Sequence, residues 1–176
     1  MTKQFSYVRM LMVQLFLSAT CLVYAGETDS VKVTFDFTTL TDQSGQYGGV
    51  LKGSAALTTA GDEPVLSLGS KSGYFLFDAS MGQFVKTFSD YTISLDVMIP
   101  QSTNITTNGN FVWCFSNSST SGYLFFGAKE SRFSITRGSY DGEQRVNPGM
   151  ALTKGRWLNL IYVQQGNEGR VLIDGR

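Results

Sequence analysis

Gly155-Arg156-Trp157-Leu158-Asn159-Leu160-Ile161-Tyr162-Val163, then a polar stretch, then Val171-Leu172-Ile173-Asp174-Gly175-Arg176: this is an apolar strand, a turn and a second strand. Aromatic and branched aliphatic residues crowd both runs, as a pleated and partly buried surface demands. Gln, Gly, Asn and Glu fill the connection, and Asp174-Gly175 ends the second run, both of which are turn chemistry. The stretch predicts an antiparallel hairpin. The fold class follows from how many similar runs precede it.

Working back from the hairpin, Tyr91 to Ile99 shows the cleanest alternation in the chain. Tyr91, Ile93, Leu95, Val97 and Ile99 fall on one face, with Thr92, Ser94 and Asp96 on the other. Pro100 ends the run, since proline cannot donate to a strand ladder. Val31 to Phe37 alternates in the same way. Further strands are predicted near Ala55–Thr59, Val65–Leu68, Tyr74–Phe77, Asn110–Ser116, Tyr123–Gly127, Arg132–Arg137, Trp157–Gln164 and Arg170–Asp174. Gly, Ser, Asn and Asp clusters separate them. Ala79 to Val85 fits one short helical turn. About ten short strands with regular turns predict an all-β fold, a sandwich or a barrel. Strands rich in Phe and Tyr fit two stacked antiparallel sheets.

The N-terminus reads as a targeting segment. Lys3 and Arg9 make a basic start, Met10 to Tyr24 is mostly apolar, and Val23-Tyr24-Ala25 supplies small residues for cleavage after Ala25. This is the layout of a secretory signal peptide over residues 1–25, and its apolar run is short for a membrane span. An uncleaved anchor is the alternative. Cleavage would leave residues 26–176 as one domain, with no membrane span, in a secreted, periplasmic or cell-surface protein.

Fourteen basic residues balance fourteen acidic ones, and losing Lys3 and Arg9 leaves a net charge of −2. No basic stripe stands out in the sequence, so nucleic acid is not an expected partner. Of Cys21 and Cys114, only the second survives cleavage, so no internal disulfide can form. Cys114 sits in Phe111-Val112-Trp113-Cys114-Phe115 and reads as a small buried hydrophobe. The chain has no histidine, which removes His triads, His bases and His zinc ligands.

Sugars stack on exposed aromatic rings and hydrogen-bond to Arg and Asp. The residues suited to this are Trp113, Tyr123, Phe125, Arg137, Tyr140 and Asp141. The competing reading is core packing: Phe111, Trp113 and Phe115 share one strand face, as do Tyr123 and Phe125. Trp113 and Trp157 are expected in the core, and Tyr140, in a loop beside Asp141-Gly142, is the better ligand candidate. Among the acids, Asp96 faces the polar side of its strand. Glu130 and Glu143 fall in turn-like segments, where a carboxylate is ordinarily solvated or caps a turn.

Several stretches resemble the laminin-G-like, concanavalin A-like domains in order and spacing. These are Phe35-Asp36-Phe37 with Asp42-Gln43-Ser44-Gly45, then Leu51-Lys52-Gly53, then Asp90 to Val97. Ser121 to Phe126 and Arg132 to Ile135 follow, and the Gly155-Arg156-Trp157 to Asp174-Gly175 hairpin closes the series. The texture is similar to the version attached to secreted glycoside hydrolases of Bacteroidetes-type bacteria. The resemblance implies an antiparallel two-sheet jelly-roll sandwich. In that family more strands follow the Asp-Gly turn, so the resemblance implies a jelly roll truncated at its C-terminus.

The resemblance also implies a function: an exported, non-catalytic carbohydrate-binding or scaffolding module, part of a larger glycan-degrading protein with a C-terminal catalytic module. Related jelly-roll glycanases carry Glu-x-Asp-x-x-Glu on one strand, and that triplet is missing here. Two alternatives stay open: a glycoside hydrolase fragment whose catalytic residues lie outside this chain, and an adhesion or protein-interaction module. The family often holds one calcium at the sandwich rim, for which Asp36, Asp42 and Asp174 are the candidate ligands. Turn capping is the competing role for Asp42 and Asp174.

Overall fold

A computed structural model describes residues 31–70, 72–106, 110–116 and 121–176, together with the backbone of two short strands, Tyr7–Arg9 (β1) and Val13–Gln14 (β2). The described chain is built mostly of antiparallel strands, in an eight-, a four- and a two-stranded sheet, with one short helix. It divides into two compact units: residues 1–98 with 157–176, and residues 99–156. None of the described helices is long and apolar enough to cross a membrane.

The first unit holds the large sheet. Tyr91–Met98 (β8) pairs with Trp157–Gln165 (β13), which turns back into Glu168–Ile173 (β14). The hairpin expected from the sequence is present. Register explains the alternation: Leu158 lies opposite Val97, Leu160 opposite Leu95 and Tyr162 opposite Ile93, and all six are buried. Burying such side chains contributes roughly 1.5–3 kcal/mol each. Ala56–Ala60 (β5) and Glu63–Ser67 (β6) form a second hairpin in the same sheet. β1 lies between β6 and β8, antiparallel to both, while β2 pairs with Lys32–Val33 (β3) and touches β8. The remainder of the leader, with the Val23-Tyr24-Ala25 cleavage site, lies outside the described residues.

Gly49–Lys52 (β4) and Tyr74–Phe77 (β7) make the two-stranded sheet, and Ala79–Val85 forms helix α1. The Asp78 carboxylate accepts from the Met81 N–H at 3.1 Å and from the Gly48 N–H at 3.0 Å, so one side chain starts the helix and ties it to the loop before β4. Phe35 and Phe37 anchor an aromatic cluster, with Phe77 5.3 Å and Phe75 5.7 Å from the Phe35 ring. The alternation from Val31 does end in buried Val33, Phe35 and Phe37, but only β3 is strand. Phe37 has φ +57, a left-handed backbone outside the extended region of regular strands.

The second unit carries the sheet β12-β11-β10-β9: Phe111–Ser116 (β9), Tyr123–Gly127 (β10), Arg132–Thr136 (β11) and Gln144–Val146 (β12). Trp113, Phe126 and Phe133 are cross-strand neighbours on one face. Tyr123, Phe125, Ser134 and Arg145 share the other. A register shift beside Gly127 sets Phe111 opposite Gly127 and its ring 4.8 Å from Phe125. Phe111 therefore leaves the face of Trp113 and Phe115, against the sequence expectation, because a bulge reverses the alternation.

Candidate functional site

The face of Tyr123 and Phe125 gathers polar groups around one carboxylate. Glu143, just before β12, has 1% of its side chain exposed. Its Oε2 accepts the Tyr123 hydroxyl at 2.5 Å, its Oε1 pairs with the Arg132 guanidinium, and Arg145 Nη1 stands 3.8 Å away. The β10–β11–β12 register places these groups side by side, since Phe125 opposes Ser134 and Ser134 opposes Arg145. Burial works against ionisation of Glu143, but hydrogen bonds from Tyr123 and Arg132 outweigh it and hold the carboxyl below its ordinary value. Burial, and then the hydrogen bond to Glu143, pushes Tyr123 up to about 12.

Tyr140 covers this hub. It opens the 3-10 turn Tyr140–Gly142, and 59% of its surface is exposed. Arg132 lies 5.6 Å and Arg145 5.4 Å from its ring centroid, and Arg145 Nη1 donates to the Tyr140 hydroxyl at 3.0 Å. Arg132 also sits 5.3 Å from the Phe125 centroid. Two guanidiniums thus fix an exposed aromatic ring by cation–π contact. Arg132 Nε is buried without an acceptor, so its ion pair and the rings hold the side chain in place.

Two hollows continue from the hub within the same unit. Phe125, Gly127, Lys129, Glu130 and Arg132 line the first. The second is a groove whose lining includes Gln101, Ile105, Lys129, Leu152 and Lys154. Lys129 belongs to both. Lys154 Nζ donates to the Thr103 carbonyl at 3.2 Å, which steadies the groove wall.

Of the residues expected to meet a ligand, the structure brings Tyr123 and Tyr140 together around Glu143. Asp141 is exposed in the Tyr140 turn, and Arg137 is exposed just after β11. Trp113 lies half-buried on the opposite sheet face, its ring near Phe115 and Phe133. Trp157 departs from its expected core position with 38% exposed, because the buried positions of β13 are Leu158, Leu160 and Tyr162. Cys114 is exposed rather than buried, on β9, the edge strand of its sheet. Glu143 was expected in a solvated turn. Its role depends on β12, which no sequence signal marks. Arg132, Arg145, Lys129 and Lys154 carry no sequence signal that marks them for a site.

Asp36, Asp42 and Asp174 do not fit a calcium centre, which wants six to eight oxygens. Asp42, 4% exposed, accepts the Tyr47 N–H at 2.8 Å and both the N–H and hydroxyl of Ser44. Asp36 accepts the N–H and hydroxyl of Thr38, and Asp174 accepts the Asn159 N–H at 2.9 Å. The hydrogen bond from the Thr38 N–H does most to lower the Asp36 pKa. For Asp42, burial raises the pKa, but the bonds from Ser44 and Tyr47 outweigh it and leave it lowered. Among the described residues no three His, Cys, Asp or Glu side chains are grouped to hold a metal. Asp96, the polar-face acid of β8, accepts from Asn159 Nδ2 at 2.8 Å.

No protein-family model, no curated protein and no solved structure matches this chain.

Proposed function

We propose that this chain is an exported, non-catalytic, laminin-G-like jelly-roll module that binds carbohydrate through the Tyr140 face. It would serve a larger glycan-degrading protein, outside the cell or at its surface. The observation that carries the reading is the exposed Tyr140 ring, held between Arg132 and Arg145 above a buried carboxylate. A rigid amphipathic ring fixed before the ligand arrives loses little entropy on binding. Arg145, with 45% of its side chain exposed, supplies hydrogen-bond donors beside the ring. The motif order and the leader support the family and the export. Arg132 and Tyr123 hold Glu143 ionised, which does not suit the general-acid role that hydrolysis needs from one carboxyl group.

The test is a panel of neutral and charged polysaccharides titrated against the full chain and against Tyr140→Ala. We expect the substitution to weaken the best ligand about tenfold, which corresponds to ~1.4 kcal/mol, with no change in thermal stability. Unchanged affinity in Tyr140→Ala would remove this face from the account.

A further inference from the structure

Charge is unevenly shared between the two units. Residues 99–156 hold six Lys and Arg against three Asp and Glu, while the remainder of the chain holds eight against eleven. The net balance is therefore +3 in one unit and −3 in the other, within a chain of zero formal charge. The positive unit carries the Tyr140 face and both hollows.

The cations of this unit also follow a route. Arg145 and Arg132 flank Tyr140, Arg132 and Lys129 line the first hollow, and Lys129 and Lys154 line the groove. Lys129 lines both hollows, the first of them a narrow crevice about large enough for one water, so the crevice and the groove adjoin at that residue. Glu143 pairs with Arg132 and stands 3.8 Å from Arg145, so Arg145, with 45% of its side chain exposed, is the more available of the two guanidiniums at the Tyr140 end, where Asp141 is also exposed. At the first hollow, Lys129 Nζ is 3.9 Å from Glu130, whose other oxygen accepts from Asn147 at 2.9 Å. That pair is partly exposed, and water and salt screen it, so a ligand's charge can compete for the ammonium.

We propose that the ligand is an anionic polysaccharide, a glycan carrying carboxylate or sulfate groups, lying along the track from Tyr140 and Arg145 past Lys129 to Lys154. This inference rests on the carbohydrate reading above and narrows it. Tyr140 provides a surface for a sugar ring. The spaced cations select against neutral chains, since a neutral polymer displaces their water without replacing the charge–charge attraction. A polymer fits better than a single sugar, because three separate features carry the cations.

The experiment is calorimetric titration of the full chain with polygalacturonate, dextran sulfate, uncharged dextran and single-stranded DNA, at low and high salt. Arg145→Gln, Lys129→Gln and Lys154→Gln are measured beside the parent, with thermal melting as the fold control. The account expects polygalacturonate or dextran sulfate to bind at least tenfold more tightly than dextran. Which of the two binds better identifies the anionic group. High salt and each substitution should weaken that binding, by roughly three- to tenfold per lost charge, with melting unchanged. Equal affinity for dextran and the charged chains overturns the anionic selection and leaves the carbohydrate reading standing. Binding of no polysaccharide overturns both. Tighter binding of DNA than of every glycan overturns the proposal and assigns the track to nucleic acid.

Discussion

Glu143 is the residue on which the second unit turns. A carboxylate with 1% of its side chain exposed stays charged only if partners replace its water. Tyr123 and Arg132 do so, and Arg132 in turn positions Tyr140. Glu143→Ala leaves the Arg132 guanidinium largely buried and unpaired, a change that costs about 3–5 kcal/mol in chemical denaturation, with Tyr140 loosened as well. The pH dependence has a definite sign. The folded-state pKa is depressed, so the stabilisation is complete above the ordinary glutamate value of 4.5 and is lost as pH falls through the lower folded value. Melting temperature should therefore drop on acidification below pH 4.5, less steeply in Glu143→Gln; parallel curves for the two proteins would contradict the assignment. Tyr123 and Tyr91, both raised to about 12 by burial, should stay neutral in an ultraviolet titration at a pH just above the ordinary phenol value of 10.0. At this scale the sequence showed Tyr123 and Tyr140 as ligand-type residues. It could not show Glu143, because a buried and a solvated glutamate are the same letter until a register pairs them.

At the level of elements, period-two alternation located the long strands because each has one wet and one dry face. β8, β10 and β13 fall within one residue of their predicted spans. β12 escaped because all three of its residues are exposed and give no alternation to read. The run from Val31 failed as a strand because Phe37 turns left-handed, which aromatic residues seldom do and composition does not signal. The turn after β4 depends on a glycine. Gly53 has φ +60, and a Cβ there would lie 2.1 Å from the Ser72 carbonyl oxygen. Gly45, at φ +73, has open space around its Cβ position. Gly45→Ala should thus cost only the left-handed backbone penalty, about 1–2 kcal/mol, and Gly53→Ala distinctly more. Equal losses in urea denaturation would show that the close approach at Gly53 does not matter.

For the whole molecule, alternation and turn chemistry established the all-β class, but neither encodes which strands lie side by side. The pairing of β1 with both β6 and β8 is an example, because it places part of the expected leader within the large sheet. A chain starting at Gly26 lacks that strand. Amides of Glu63–Ser67 and Tyr91–Met98 should then exchange with deuterium faster than in the full chain, and identical protection would exclude β1 from the folded sheet. Charge asymmetry between the units was also present in the sequence, hidden by a total of zero. It became visible only once the fold grouped residues 99–156.

The most direct test of the central claim is nuclear magnetic resonance mapping of a bound acidic oligosaccharide on the full chain. The account predicts shifts at Tyr140, Tyr123, Arg145 and Lys129, with Trp113 and the β8–β13 pair undisturbed. Shifts centred on Trp157 or β8, or none at any ligand concentration, would contradict it.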